Sequence, residues 1–223
     1  MGLKFIEAKR NKKFSRRDLL IGFTAILAIA VNLLFPQTAY GETFWLSFFL
    51  FVVFPVLIII FILREPLANF GLSRGLAQRG FFFSAITIIL FIFLNYLLVF
   101  HSKYAGQLSI SPFIISRFTI FLLFEIFIAL PLHFFWEFFF RGFLQMGLER
   151  RFGIYSLPLA ALLQALLFFR SSWIAILLVL LSALAAGFIV RRSRSIAYSA
   201  FSLWIISVSL DIMIIILVHQ IAR

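Results

Sequence analysis

"PLHFFWEFFFRGFLQ", residues 131–145, is dominated by aromatic and aliphatic side chains, yet His133, Glu137 and Arg141 recur at every fourth position. On a helix, steps of four advance about 40° around the axis, so the three residues form one slowly turning stripe. The apolar run containing them extends over about residues 118–140, close to the roughly 20 residues a helix needs to cross a bilayer. The stripe therefore lies where hydrocarbon is expected. Working outward, similar runs occur at about 19–36, 43–63, 80–100, 154–169, 173–190 and 195–220. These predict about seven spans. A spanning backbone must satisfy its own hydrogen bonds, and no ten-residue alternating strand pattern is present, so the expected fold class is an all-α polytopic membrane helix bundle.

Composition agrees. The chain of 223 residues is 64% hydrophobic and 13% charged, with a mean hydropathy of +1.12, which excludes an ordinary water-soluble domain. There is no cysteine, so neither a disulfide framework nor a thiolate metal site is available. No phosphate-binding loop, dinucleotide fingerprint or Cys/His zinc pattern is present, and no cofactor or metal is expected. The net charge of +12 raises the question of nucleic acid, but its distribution answers for lipid.

With a cytoplasmic N-terminus, the inside segments hold the arm from Lys4 to Arg17, then Arg64, Arg74 and Arg79, then Arg141, Arg150 and Arg151, then Arg191, Arg192 and Arg194. The outside segments hold only Lys103, Arg117, Arg170 and Arg223. Every cytoplasmic loop obeys the positive-inside rule, which places the protein in the cell membrane with its C-terminus outside. The basic arm, residues 1–18, holds the first helix against anionic lipid. A rival reading exists for the first span: "FSRRDLLIG" resembles a twin-arginine export signal, with "TAYG" as a cleavage site. The length of the apolar stretch and the inside start favour a retained anchor.

Ionisable groups in spanning helices are costly and face the bundle interior, so each is a functional candidate. They are Glu125, His133, Glu137 and Arg141 on the fourth span and Asp211 on the seventh; the fifth offers only Gln164. Glu137 can pair with Arg141 below it and His133 above it. A buried ion pair that fixes the helix and a catalytic or ligand-binding group are balanced readings on spacing alone. His133 and Glu137 on one helix do not complete a zinc site. Glu125 and Asp211, at roughly 10 and 13 Å from the outside ends of their helices, can face each other and would share a proton. Asp211 lies roughly 24 Å from the inside end of its span, too far to assist Glu137. In "SALAAG" of the sixth span, Ser182 and Ala186, and Ala183 and Gly187, make a small-residue face for close helix packing.

"PLHFFWEFFFRGFLQ" followed by "ERRFG" resembles the first signature of the CAAX-protease and bacteriocin-processing family of intramembrane glutamate proteases. "LPLAALLQALLFF" and "AAGFIVRRSRSIAYSAFSLW" are similar to the second signature and the lead into the third, and "FGLSRG" (70–75) resembles the family's inside loop. The resemblance covers about residues 115–207. It implies that residues 115–223 form a core of helices 4–7, preceded by helices 1–3 in 19–114. It also implies a water-activating pair of glutamates, of which only Glu137 remains, with Arg141; the base position is Trp136. The family's two histidines fall at Ser172 and Leu203 and its asparagine at Ser207.

The expected function is therefore that of a non-proteolytic scaffold, chaperone or regulator that binds a membrane protein or a membrane-anchored peptide. In that reading Trp136 fills the place of the missing base. Alternatives are a diverged intramembrane endopeptidase using Glu137, and a small proton-coupled transporter using Glu125 and Asp211. No nucleic-acid partner is expected.

Overall fold

The computed structural model describes residues 15–35, 40–101 and 117–221. The lysines of the basic arm, Thr38 and Ala39 of "TAYG", Lys103, Arg223 and the side chain of His219 lie outside the described residues. Among the described residues all regular structure is helical. The rods are α1 (Arg16–Leu34), α2 (Tyr40–Leu63), α3 (Ala77–His101), α4 (118–152), α5 (Ser156–Leu166), α6 (Trp173–Ser193) and α7 (Ile196–Ile221).

Six stretches are long and apolar enough to cross a membrane, the fourth being Phe118–Leu166 taken as one. That stretch contains a reversal. Gly153 takes a left-handed φ of 57°, Ser156 Oγ donates to its carbonyl at 2.8 Å, and α5 returns along α4 so that Gln164 meets Arg141. The predicted fifth span at 154–169 is a half-length helix: the 11 residues of α5 rise only about 16 Å, against a hydrocarbon core of about 30 Å. Its apolar run has nearly the right length. The helix nevertheless stops at Leu166, turns follow over 167–170, and Ser172 caps α6 by accepting from the Ala175 amide at 3.3 Å.

Helix α3 shows how the sequence selects its inner face. Gly80, Ser84, Thr87, Phe91, Asn95 and Val99 are buried at three- and four-residue spacing, whereas Phe81, Phe82, Ile89 and Phe93 are exposed. Polarity is inverted relative to a soluble helix because lipid is as apolar as leucine, and small or hydrogen-bonding residues make the helix contacts. Asn95 Nδ2 donates to the Ile206 carbonyl of α7 at 3.1 Å. The small-residue face of α6 behaves in the same way: Ala183, Ala186 and Gly187 are buried, and Gly187 accepts from Gln145 Nε2 at 2.9 Å. The aromatic core surrounds α4, where Phe138, Phe139, Phe140 and Phe143 are buried with Phe51 of α2 and Ile21 of α1.

The starts of α1, α3 and α7 and the ends of α2, α4 and α6 meet at one end of the bundle. Arg17 Nε donates to Glu65 Oε1 at 2.7 Å and its Nη1 to the Gly147 carbonyl at 2.5 Å. Arg150 faces Glu65 at 4.0 Å, Arg194 pairs with Glu149, and Ser73 Oγ donates to the Arg194 carbonyl at 3.1 Å. Arg17, Arg150 and Arg194, all assigned to inside segments, are thus gathered at this end, whereas Arg141 lies within α4. Arg17, the second of the twin arginines, is part of this assembly, and α1 buries Ile21, Ala25, Ala28 and Ile29.

Candidate functional site

The stripe that opened the sequence lies in the middle of α4, where the helix widens into a π-helical stretch over Phe138–Met146. Every residue from Phe138 to Gln145 is buried. Such widened turns recur at functional sites, where they redirect side chains. Glu137 and Arg141 are both 0% exposed, with Arg141 Nε 3.6 Å from Glu137 Oε1. Arg141 Nη2 donates to Gln164 Oε1 of α5 at 2.5 Å. Neither carboxylate oxygen accepts a hydrogen bond, and Arg141 Nε and Nη1 donate none. Ser199 of α7, also 0% exposed, lies beside the carboxylate, but its hydroxyl donates to the Ile196 carbonyl at 2.9 Å.

The close approach of backbone on one side locks this centre. A Cβ on Gly142 would run into the Phe70 carbonyl oxygen, and one on Gly75 into the Ser193 carbonyl oxygen. The 71–75 segment thereby bridges α4 to the α6–α7 turn, where Ile196 N donates to the Gly71 carbonyl at 3.1 Å and Leu76 N to the Ser193 carbonyl at 2.6 Å.

The remaining candidates fall into different places. His133 is partly buried one turn above Glu137 and does not meet its carboxylate, both of whose oxygens lack a hydrogen bond. The expected His133–Glu137 contact is therefore not formed. Among the described residues there is no group of three metal-ligating side chains. Trp136 points toward α2 and the end of α5: its Nε1 donates to Ser47 Oγ at 3.4 Å, and its ring meets those of Phe51 and Phe168, each at 5.6 Å. Ser172 serves as the α6 cap. Ser207 is partly buried on α7, eight residues beyond Ser199, or about 12 Å along the axis.

Glu125 and Asp211 lie near each other in the other half of the bundle, but neither carboxylate oxygen of Glu125 has a hydrogen-bond partner. Glu125 is 1% exposed, and its backbone carbonyl accepts from Trp204 Nε1 at 3.0 Å.

Sequence reasoning missed two participants. Gln164 stands out in the sequence only as the single amide of its span, although a lone amide in an apolar run needs a partner. Ser199 carries no distinguishing signal, because serines recur along α7 at 199, 202, 207 and 209.

Beside the pair, α3 and α7 enclose a cavity of about 820 Å³ whose lining includes Phe134 and Ser195 but neither Glu137 nor Arg141. Comparisons with protein-family models, curated proteins and solved structures return no match.

Proposed function

We propose that this integral membrane protein is a diverged, non-proteolytic relative of the CAAX-type intramembrane proteases. It acts as a scaffold, chaperone or regulator for a membrane protein or membrane-anchored peptide, with its basic end on the cytoplasmic side. The observation that carries the reading is the enclosure of Glu137 and Arg141, both 0% exposed and absent from the cavity wall. Peptide hydrolysis needs a base, a water and an oxyanion donor within a few ångströms of a substrate carbonyl. Here Gln164 engages the arginine, and Trp136, at the position of the missing base, is turned toward Ser47 and Phe51. Glu137 then fixes helix packing instead of activating water.

The test compares Glu137→Gln with Glu137→Ala in cells lacking the wild-type gene, with membrane abundance quantified beside the phenotype. Both variants are expected to lose abundance because each strands the Arg141 guanidinium, Ala more than Gln, whose amide oxygen can accept from it, and the Gln protein that remains is expected to retain function. A Gln variant present at normal abundance but inactive would mean that the negative charge performs chemistry, and would restore the endopeptidase reading.

A further inference from the structure

The cavity between α3 and α7 has an unequal distribution of polarity along its length. Phe81 and Ile88 of α3, Phe134 of α4, and Phe201 and Ile205 of α7 supply apolar wall. The hydroxyls of Ser84 and Ser202 also reach the wall, but both donate to the Tyr198 carbonyl, at 3.2 and 2.6 Å, so they offer no free donor to an occupant. Phe81 is 67% and Phe201 53% exposed, which places the opening on the lateral, lipid-facing surface.

At the basic end the lining changes to Ser73 and Arg74. Arg74 is exposed, and its backbone carbonyl is held by the Tyr198 hydroxyl at 3.1 Å. The carboxylates near this end are already engaged, Glu65 by Arg17 and Arg150 and Glu149 by Arg194. Among the described residues no carboxylate pairs with the Arg74 guanidinium.

The length of the cavity points to its occupant. From Ser195 to Ile205 the wall follows ten residues of α7, a rise of about 15 Å, or half of the roughly 30 Å hydrocarbon core. A spanning peptide helix would need the full thickness. One acyl chain from one leaflet needs only this half, with its phosphate at the interface.

We propose that the cavity is a binding site for an anionic phospholipid of the leaflet at the basic end, with one acyl chain between α3 and α7 and the phosphate at Arg74. The site is selective because an apolar slot is joined to an exposed arginine that lines it and that no described carboxylate compensates, whereas an arginine such as Arg192 lies outside the slot. It goes beyond the binding role proposed above and does not depend on Glu137.

The test is native mass spectrometry of the full chain released from detergent containing phosphatidylglycerol or phosphatidylcholine of matched chains. The wild type is expected to retain phosphatidylglycerol about fivefold better, the scale set by one basic residue near an anionic headgroup. Arg74→Gln should bring that ratio close to one. Arg192→Gln removes the same charge from the same end, where its guanidinium lies over the Phe188 ring at 5.0 Å, and should leave the ratio unchanged. Ala197→Phe, which fills the slot from its wall, should reduce retention of both lipids. If that variant does not accumulate, Ile205→Trp blocks the slot from its inner end. Inorganic phosphate should not displace the lipid. Equal retention of the two lipids by the wild type, equal effects of the two arginine variants, unchanged retention in a slot-filling variant, or displacement by phosphate would each overturn the proposal.

Discussion

If the Glu137–Arg141 pair fixes packing, removing one charge should be far worse than removing both. Glu137→Leu leaves a fully buried guanidinium whose remaining hydrogen bond is the one from Nη2 to Gln164. Stranding a buried charge costs about 3–5 kcal/mol, or roughly two to nearly four powers of ten in the folding equilibrium. Arg141→Met should cost a similar amount by stranding the carboxylate. The double variant removes both charges, and little is lost at the glutamate because neither oxygen accepts a hydrogen bond. It does leave Gln164 Oε1 without its 2.5 Å donor, at about 1–3 kcal/mol. Adding Gln164→Leu removes that penalty, so the triple variant should match or exceed the wild type, because apolar replacements of buried ion pairs are neutral or gain about 1–4 kcal/mol. The assay is reversible unfolding of the purified chain in mixed micelles by titration with an anionic detergent, with membrane abundance as a second readout. A triple variant as unstable as either single variant would refute the reasoning, as would four variants of equal stability.

Three further outcomes are expected. Gly142→Ala should lower the unfolding midpoint because its Cβ meets the Phe70 carbonyl oxygen, while Gly22→Ala, with nothing within 4 Å, should raise it by up to about 1 kcal/mol in stability through helix propensity; equal effects would contradict the packing described. Partial burial pushes the Glu65 carboxyl up, but the hydrogen bond and charge of Arg17, with Asn69 and Arg150, outweigh it and hold the group below its ordinary value of 4.5. A depressed folded value means that this stabilisation is complete above 4.5 and disappears as pH falls through the lowered value. The difference in unfolding midpoint between wild type and Glu65→Gln should therefore be constant from neutral pH to about 5 and shrink below 4.5; a difference that grows on acidification would reverse the sign argued here. Trp136→Glu, which recreates a glutamate pair, should lower membrane abundance without conferring cleavage of a membrane-embedded peptide, because the side chain faces Ser47 and Phe51; acquired cleavage would show that residue 136 can reach the Arg141 centre.

What could be read from the sequence was whatever depends on one coordinate at a time. The depth of a residue along a helix follows from a fixed rise, which is why Glu125 and Asp211 could be matched before any packing was known. The positive-inside pattern likewise sorted Arg17, Arg74, Arg150 and Arg194 to one end. Contacts that depend on rotation were less legible. The stripe geometry allowed His133 to meet Glu137, yet the carboxylate turns to Arg141. The π-helical widening over Phe138–Met146 has no sequence mark, and the approach of Phe70 to Gly142 joins segments far apart in the chain. The fifth helix is shorter than its apolar run for a related reason: hydropathy registers the run at 154–169 but not the helix end at Leu166 or the cap at Ser172.

In lipid, apolar contact between helices has no solvent-driven advantage over contact with acyl chains, so the arrangement of this bundle must rest on packing and on its internal polar contacts. Those contacts form a chain through the fold. Arg17 ties α1 to the loop after α2 and to the end of α4; Trp136 ties α4 to α2 through Ser47. Arg141 joins α4 to α5 through Gln164, Gln145 joins it to α6 through the Gly187 carbonyl, and Trp204 joins α7 to α4 through the Glu125 carbonyl. Asn95 closes the set between α3 and α7. A carrier that alternated its access would have to break several of these buried links in each cycle, each unmade one costing about 1–3 kcal/mol. Glu125 sits inside that cross-linked frame, 1% exposed and with its carbonyl held by Trp204. The same frame suits a protein that presents a fixed lateral slot to the bilayer, and a fixed slot loses little ordering entropy when a chain enters it.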